Sequence, residues 1–182
     1  MKNYKNILTL AVFLGVSVGA QASNIVQNPG FETGNFSNWT QFGNTGATAV
    51  NTNLPHSGTF AAEFGPVGSL GGITQFLTTV TGTTYVLDFW LQNNGNVPSE
   101  WIVEWNGASI IDSVNPGGFG YTHFFFSQVA TGTTTQLSFR FRQDPSFFHL
   151  DDVNVDAVPE PATMAMFGSG LLALGLWRRR KA

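Results

Sequence analysis

The sequence predicts an all-β fold, an antiparallel two-sheet jelly-roll sandwich, flanked by an N-terminal signal peptide and a C-terminal single transmembrane helix. Three observations support the sandwich. Within residues 23–157, short stretches alternate apolar and polar residues, turn residues separate these stretches, and no window of twelve residues combines a helical period with helix-forming residues. The chain also shows no repeat of blade length, which favours a jelly roll over a propeller.

Residues 1–22 are typical of a secretory signal peptide. Lys2 and Lys5 precede an apolar run, and Ala20 and Ala22 form the small-x-small pattern that signal peptidase cleaves. We therefore expect export across the inner membrane and a mature domain spanning residues 23–157.

The clearest strand candidate is residues 83–92, in which Tyr85, Leu87, Phe89 and Leu91 alternate with more polar positions. Turn residues bound this stretch and the other candidates. The remaining predicted strands are residues 48–51, 60–64, 73–80, 101–105, 123–129, 136–142 and 148–155.

The same alternation predicts which side chains face the core. The predicted inward residues are Leu87, Phe89, Phe124, Phe126, Leu137, Phe139 and Phe141. Trp101, Val103 and Trp105 share one side of their strand, as core residues would.

The predicted outward residues suggest a sugar-binding surface, because pyranose C–H faces stack on aromatic rings while hydroxyls need polar partners. We expect one face to carry a ligand-binding set of Trp90, Tyr121, His123, Phe125 and Arg140, with Arg142 beside it. An alternative stays open: the aromatic side chains pack under a long loop, and the two arginines pair with Asp88 or Glu104 across strands.

Charge excludes one class of function. Residues 23–157 contain two basic and ten acidic residues, a formal net charge of −8, and the chain has no cysteine. Nucleic acid phosphates and anionic lipid would repel so acidic a domain, so we exclude nucleic-acid binding. The absence of disulfides indicates either that the core of a domain of about 135 residues suffices or that another cross-link, such as a metal ion, assists.

Catalysis has little support in the sequence, and we predict that the protein is not an enzyme. The chain lacks the nucleophile-elbow and zinc-protease motifs, and its three histidines have no companions at ligand spacing. Asp151 and Asp152 are adjacent on a predicted strand, so we expect them to face opposite sides, unlike the paired carboxylates of a glycosidase.

Three short motifs resemble galactose-binding-like β-sandwiches, as found in several carbohydrate-binding module families. They are residues 28–32 (Asn-Pro-Gly-Phe-Glu) with Trp39, residues 56–58 (His-Ser-Gly) with Ala61, and residues 150–153 (Leu-Asp-Asp-Val).

This resemblance implies a structural calcium ion. Glu32 and Asp151 would supply carboxylates, and backbone carbonyls near Asn28 and residues 57–59 would complete the ligand set, in keeping with the oxygen ligands that calcium prefers. The alternative is that both carboxylates only accept hydrogen bonds from backbone amides at a corner of the sheet.

The last 25 residues carry the most specific signal. Val158, Pro159, Glu160 and Pro161 precede an apolar run at residues 162–177, and Arg178, Arg179, Arg180 and Lys181 follow. The run predicts a transmembrane helix, and the basic cluster places the C-terminus in the cytoplasm before processing.

This order of features resembles the PEP-CTERM sorting signal, whose family members are substrates of exosortase, a membrane transpeptidase or protease of Gram-negative bacteria. The resemblance implies that an exosortase-like enzyme recognises and removes the segment; a plain membrane anchor is the alternative.

We predict a non-catalytic protein of the cell surface or extracellular matrix. A polysaccharide-binding module is the second hypothesis, and a glycoside hydrolase the third.

Overall fold

A computed structural model describes residues 23–159, and these residues form ten β-strands in two five-stranded antiparallel sheets. This confirms the all-β prediction. The part of the chain that is described contains no helix able to cross a membrane. The predicted signal peptide and the predicted transmembrane helix lie outside the described residues.

The strands follow one another with short connections. Their bounds are β1 Thr40–Gly43, β2 Thr48–Asn51, β3 Ala61–Phe64, β4 Gly71–Thr78, β5 Thr84–Asn93, β6 Ser99–Trp105, β7 Ala108–Val114, β8 Phe119–Val129, β9 Thr134–Gln143 and β10 Phe148–Ala157. The eight predicted strands correspond to eight of these. Two were missed: β1 has only four residues, and the side chains of β7 are mostly solvent-accessible, so its apolar pattern is weak.

The first sheet has the strand order β1-β4-β9-β6-β7, and the second has the order β2-β3-β10-β5-β8. Consecutive strands such as β9 and β10 lie in different sheets, which makes the fold a sandwich with crossing connections. The C-terminal strand β10 occupies the centre of the second sheet, between β3 and β5.

Aromatic side chains fill the space between the sheets. Phe89 packs edge-on against Phe139 with ring centroids 5.1 Å apart, and Phe64 stacks on Phe141 at 4.3 Å. The predicted inward residues are confirmed: five are fully buried, while Phe124 and Phe126 are partly buried and pack against the core. Such rings bury large apolar areas, which stabilises a domain without disulfides.

An irregularity in β10 departs from the prediction. The register with β5 shifts between Asp151 and Asn154, and Asp152 has a φ of +50°. This is the geometry of a β-bulge, which adds a residue to one strand and redirects its side chain. The expectation that Asp151 and Asp152 face opposite sides is therefore wrong, because both side chains reach the same neighbouring loop.

Candidate functional site

The loop between β2 and β3 is fastened to β10 by a buried carboxylate. Asp151 has no solvent exposure, and its Oδ2 accepts hydrogen bonds from the backbone amides of His56 at 2.8 Å and Ser57 at 3.1 Å. Its Oδ1 accepts a third bond from the amide of Asp152 at 2.8 Å. Three amide donors thus satisfy a group that would otherwise be costly to bury.

Burial raises the pKa of Asp151 to about 6, and the neighbouring charge of Asp152 acts in the same direction. The amide hydrogen bonds, of which that from Ser57 is the largest, oppose the shift because they stabilise the charged form.

Glu32 holds the next part of the same loop. Its Oε1 accepts hydrogen bonds from the amides of Thr59 at 3.0 Å and Phe60 at 3.1 Å. Gly58 has a φ of +61°, and a Cβ at this position would clash with the Glu32 carboxylate. A glycine is therefore required here both by the backbone angle and by the close approach.

Three carboxylates converge at this point, and we call Glu32, Asp151 and Asp152 the acidic corner. A Cβ placed on Gly30 would lie 3.4 Å from Asp152 Oδ1, 3.5 Å from Asp151 Oδ1 and 3.7 Å from Glu32 Cγ. Asp152 accepts hydrogen bonds from the Ser57 hydroxyl at 2.7 Å and pairs with His56 Nδ1 at 2.6 Å.

The acidic corner supplies some, but not all, of the oxygen ligands that a calcium ion would need. Its oxygens are the ligand type that calcium prefers, and both arginines of the described residues pair elsewhere, with Glu104 and Asp144. Among residues 23–159, no three acidic or histidine side chains are arranged to hold a metal by themselves. A calcium ion here would thus also need carbonyl oxygens, as the resemblance implies. The hydrogen bonds from backbone amides to Glu32 and Asp151, which the alternative interpretation expected, are present.

Next to the acidic corner lies an aromatic cluster, comprising His56, Trp90, Tyr121, His123 and Phe125. The rings of His56 and His123 both stack on the Trp90 indole, with centroid distances of 3.9 Å and 4.8 Å. The Tyr121 hydroxyl donates a 2.7 Å hydrogen bond to the carbonyl of Leu54, which holds the β2–β3 loop over the sheet.

The structure brings four predicted ligand residues together on the outer face of the second sheet: Trp90, Tyr121, His123 and Phe125. Their accessibility differs. Phe125 is 72% exposed and the His123 side chain is 43% exposed, whereas Trp90 and Tyr121 are half-buried. Burial, with the charges of the two aspartates, raises the pKa of Tyr121, so its hydroxyl stays protonated.

His56 belongs to this cluster although it was not among the predicted ligand residues. The His-Ser-Gly motif indicates that this loop belongs to the site. The resemblance, however, implies a role only for the backbone carbonyls of residues 57–59 and none for the His56 ring. The ring is positioned by two contacts, with Asp152 and with Trp90.

The prediction that Arg140 shares the aromatic face is wrong. Arg140 and Arg142 lie on β9, in the first sheet, so they face away from the aromatic cluster on the opposite side of the sandwich. Arg140 pairs with Glu104 at 2.9 Å, as the alternative interpretation expected.

A polar network borders the aromatic cluster. His123 Nε2 lies 3.0 Å from Asp88 Oδ1, and the Asn154 amide donates to Asp88 Oδ2 at 3.0 Å and to Asp156 Oδ2 at 2.9 Å. Exposed aromatic rings and hydrogen-bonding groups thus lie side by side, as recognition of a hydroxyl-rich ligand requires.

The predicted processing residues are only partly within the described chain. Val158 donates a backbone hydrogen bond to Thr84 at 2.8 Å, so the sandwich extends to the first residue of the Val-Pro-Glu-Pro motif. Glu160, Pro161, the three terminal arginines, Ala20 and Ala22 lie outside the described residues.

The sequence comparison identifies one family match. Residues 157–181 match the family model described as the PEP-CTERM protein-sorting motif, which confirms the resemblance and indicates an exported, surface-targeted protein. A comparison with curated proteins finds no match.

Similar solved structures confirm the resemblance of the fold. TmCBM61 in complex with β-1,4-galactotriose has 20% identity and a TM-score of 0.61, covering 76% of this chain and 99% of that one. The CBM22-1 xylan-binding domain from Paenibacillus barcinonensis Xyn10C has 14% identity and a TM-score of 0.53, covering 72% and 93%. The K3 cleaved adhesin domain of Lys-gingipain from Porphyromonas gingivalis has 15% identity and a TM-score of 0.57, covering 74% and 98%. The chain therefore has the β-sandwich fold of carbohydrate-binding modules.

We predict that Gly58→Ala destabilises the domain more than Gly82→Ala does. Both glycines have positive φ, but a Cβ at Gly82 meets nothing within 4 Å, whereas at Gly58 it meets Glu32. The backbone cost is thus shared, and the clash adds about 1–3 kcal/mol for Gly58→Ala alone. Urea unfolding of both variants measures the difference; equal losses would show that Glu32 does not pack against Gly58.

Proposed function

We propose that this protein is an exported, non-catalytic component of the cell surface or extracellular matrix, and that its sandwich binds polysaccharide through the aromatic cluster. The sorting motif supports the location, and the carbohydrate-binding modules among the structural neighbours support the ligand class. The single observation that carries the proposal is the exposed ring of Phe125 beside His123 and Trp90 on a polar sheet face.

The chemistry of this face favours stacking on a neutral sugar. A pyranose C–H face can cover Phe125, while its hydroxyls reach His123 and Asp88. Asp88 and Asp152 pair with the two histidines of the cluster, and the arginines lie on the other sheet. A uronate would be repelled by these carboxylates, so we propose a neutral polysaccharide. Two of the similar structures are a complex with β-1,4-galactotriose and a xylan-binding domain, and these ligands belong to the class we would test first.

We predict that the domain is retarded in native gels containing galactan or xylan and moves freely through polygalacturonate. Phe125→Ala should weaken the retardation about fivefold, since one stacking contact is worth roughly 1 kcal/mol. His123→Ala and Trp90→Ala should weaken it as well, because the first removes a hydroxyl partner and the second removes the indole on which the His123 ring stacks. Phe76→Ala is the matched control, because Phe76 is 68% exposed but lies on the first sheet. Equal retardation of all variants, or none with any polysaccharide, would contradict glycan binding at this face.

We further propose that an exosortase-like enzyme processes the C-terminus after export. Replacing both Pro159 and Pro161 by alanine should leave a longer form that stays in the membrane fraction, because proline disfavours helical backbone at the residue before it and we expect the processing enzyme to need an extended motif. Pro116→Ala, in the β7–β8 loop, is the control. Immunoblots of medium and membrane measure the outcome; equal release of the double variant and the control would count against this processing.

We also propose that calcium binds at the acidic corner, held by Glu32 and Asp151 with neighbouring carbonyls. When bound, the ion would neutralise carboxylates that converge without a lysine or arginine. Calcium should raise the melting temperature. At a hundredfold excess over Kd, binding would add about 2.7 kcal/mol to the free energy of unfolding. Asp151→Ala should abolish the increase, and Asp112→Ala on β7 should preserve it. A melting curve that chelator leaves unchanged would reject the site.

A further inference from the structure

The sandwich has four edge strands, and three of them are protected against pairing with another chain. β1 and β2 have four residues each. β7 carries Asp112, and its register with β6 shifts between Val103 and Glu104. Short length, charge and irregular register are the usual ways in which proteins block exposed sheet edges.

The fourth edge, β8, has none of these protections along most of its length. Within the described residues it is the longest strand, with eleven residues, and it pairs only with β5. It contains no aspartate, glutamate, lysine, arginine or proline, although the domain carries a formal charge of −8, and its one histidine, His123, pairs with Asp88. From Thr122 to Val129 its pairing with β5 is regular. A long, regular and uncharged edge strand is a template for a further strand.

The hydrogen-bond pattern shows which groups of β8 face outward. Ala130 donates its amide to Thr83, whereas Thr84 accepts from Val158 on the opposite side of β5. In an antiparallel ladder, alternate residues direct their backbone amide and carbonyl groups toward the same neighbouring strand, and the residues between them direct these groups to the other side. The backbone groups of His123, Phe125 and Ser127 therefore point to the free edge.

Apolar side chains lie on both sides of this edge. Phe125 is 72% exposed on the outer side, and Phe124 and Phe126 remain only partly buried on the core side. A strand added here would pair with the free backbone groups and place its own side chains beside all three rings, leaving the outer face of Phe125 open.

We propose that β8 pairs with β8 of a second copy of this chain, antiparallel about a twofold axis, with Phe125 opposite the partner's Phe125. His123 then lies opposite the partner's Ser127, and Phe124 opposite the partner's Phe126. The three outward-facing pairs supply about six backbone hydrogen bonds, and the two five-stranded sheets join into one.

Electrostatics permits a second copy despite the acidity of the domain, because the repulsion across the paired edge is weak. Asp88 lies opposite Phe125 on β5 and pairs with His123. The two Asp88 residues would be separated by three strand spacings, about 14 Å. This exceeds the Debye length of about 8 Å at physiological salt, so the repulsion is screened. A twofold contact also needs only one surface that is complementary to itself.

Single cysteines test the pairing, because the chain has none of its own. In full-length protein oxidised in the cell envelope, Phe125→Cys should give a disulfide-linked dimer, since opposed Cα atoms lie about 5.5 Å apart, within disulfide range. Val129→Cys would sit about 27 Å from its copy and should cross-link about tenfold less, as should Ser113→Cys on β7. Cross-linking of Phe125→Cys no stronger than these controls would overturn the proposal.

A second substitution separates specific pairing from chance collision. In the Phe125→Cys background, Ser127→Pro removes an amide that faces the free edge and makes no bond to β5, so cross-linking should fall about tenfold; Ser127→Ala keeps the amide and the cross-link. Undiminished cross-linking with proline would overturn the proposal. Light scattering of the unsubstituted full chain in mild detergent, with the detergent mass subtracted, should give twice the chain mass; a single-chain mass would overturn it independently of any variant.

Discussion

The arrangement of the functional surface depends on one buried carboxylate in the central strand of the second sheet. Asp151 lies on β10 with no solvent exposure. Because a buried carboxylate is costly unless it accepts hydrogen bonds, its oxygens need donors; the same burial raises its pKa. The amides of His56 and Ser57 supply them. This requirement fixes the β2–β3 loop over the sheet and puts the His56 ring on Trp90, from which the shape of the aromatic cluster follows.

The two outer faces of the sandwich consequently have different chemistry. The second sheet presents stacked rings bordered by aspartates, and the first sheet presents Arg140, which is neutralised by Glu104. A neutral sugar suits the former. The edge strand β8 supplies Tyr121, His123 and Phe125 to the aromatic cluster, so a dimer formed through it would bring two such clusters into one continuous sheet.

Much of the fold follows from residue alternation, and the failures share one cause. Alternation along β9 correctly assigns Phe139 inward and Arg140 outward, but it carries no information about which sheet a strand joins, and Arg140 was therefore placed on the wrong face. The same rule failed at Asp152, because a bulge depends on pairing with β5, a contact distant in sequence. Three short motifs, at residues 28–32, 56–58 and 150–153, correctly indicated that Glu32, the β2–β3 loop and Asp151 lie close together. A loop held by several hydrogen bonds needs particular residues at each of these positions, so it leaves a pattern in the sequence.

Hydrogen exchange at the backbone amides of His56 and Ser57 tests the central constraint most directly. If Asp151 accepts both amides, they should exchange at least about tenfold more slowly than the exposed hairpin amide of Gly107, and Asp151→Ala should remove this protection while the amides of β5 stay protected. Exchange of His56 and Ser57 as fast as that of Gly107 in the unsubstituted protein would contradict the account.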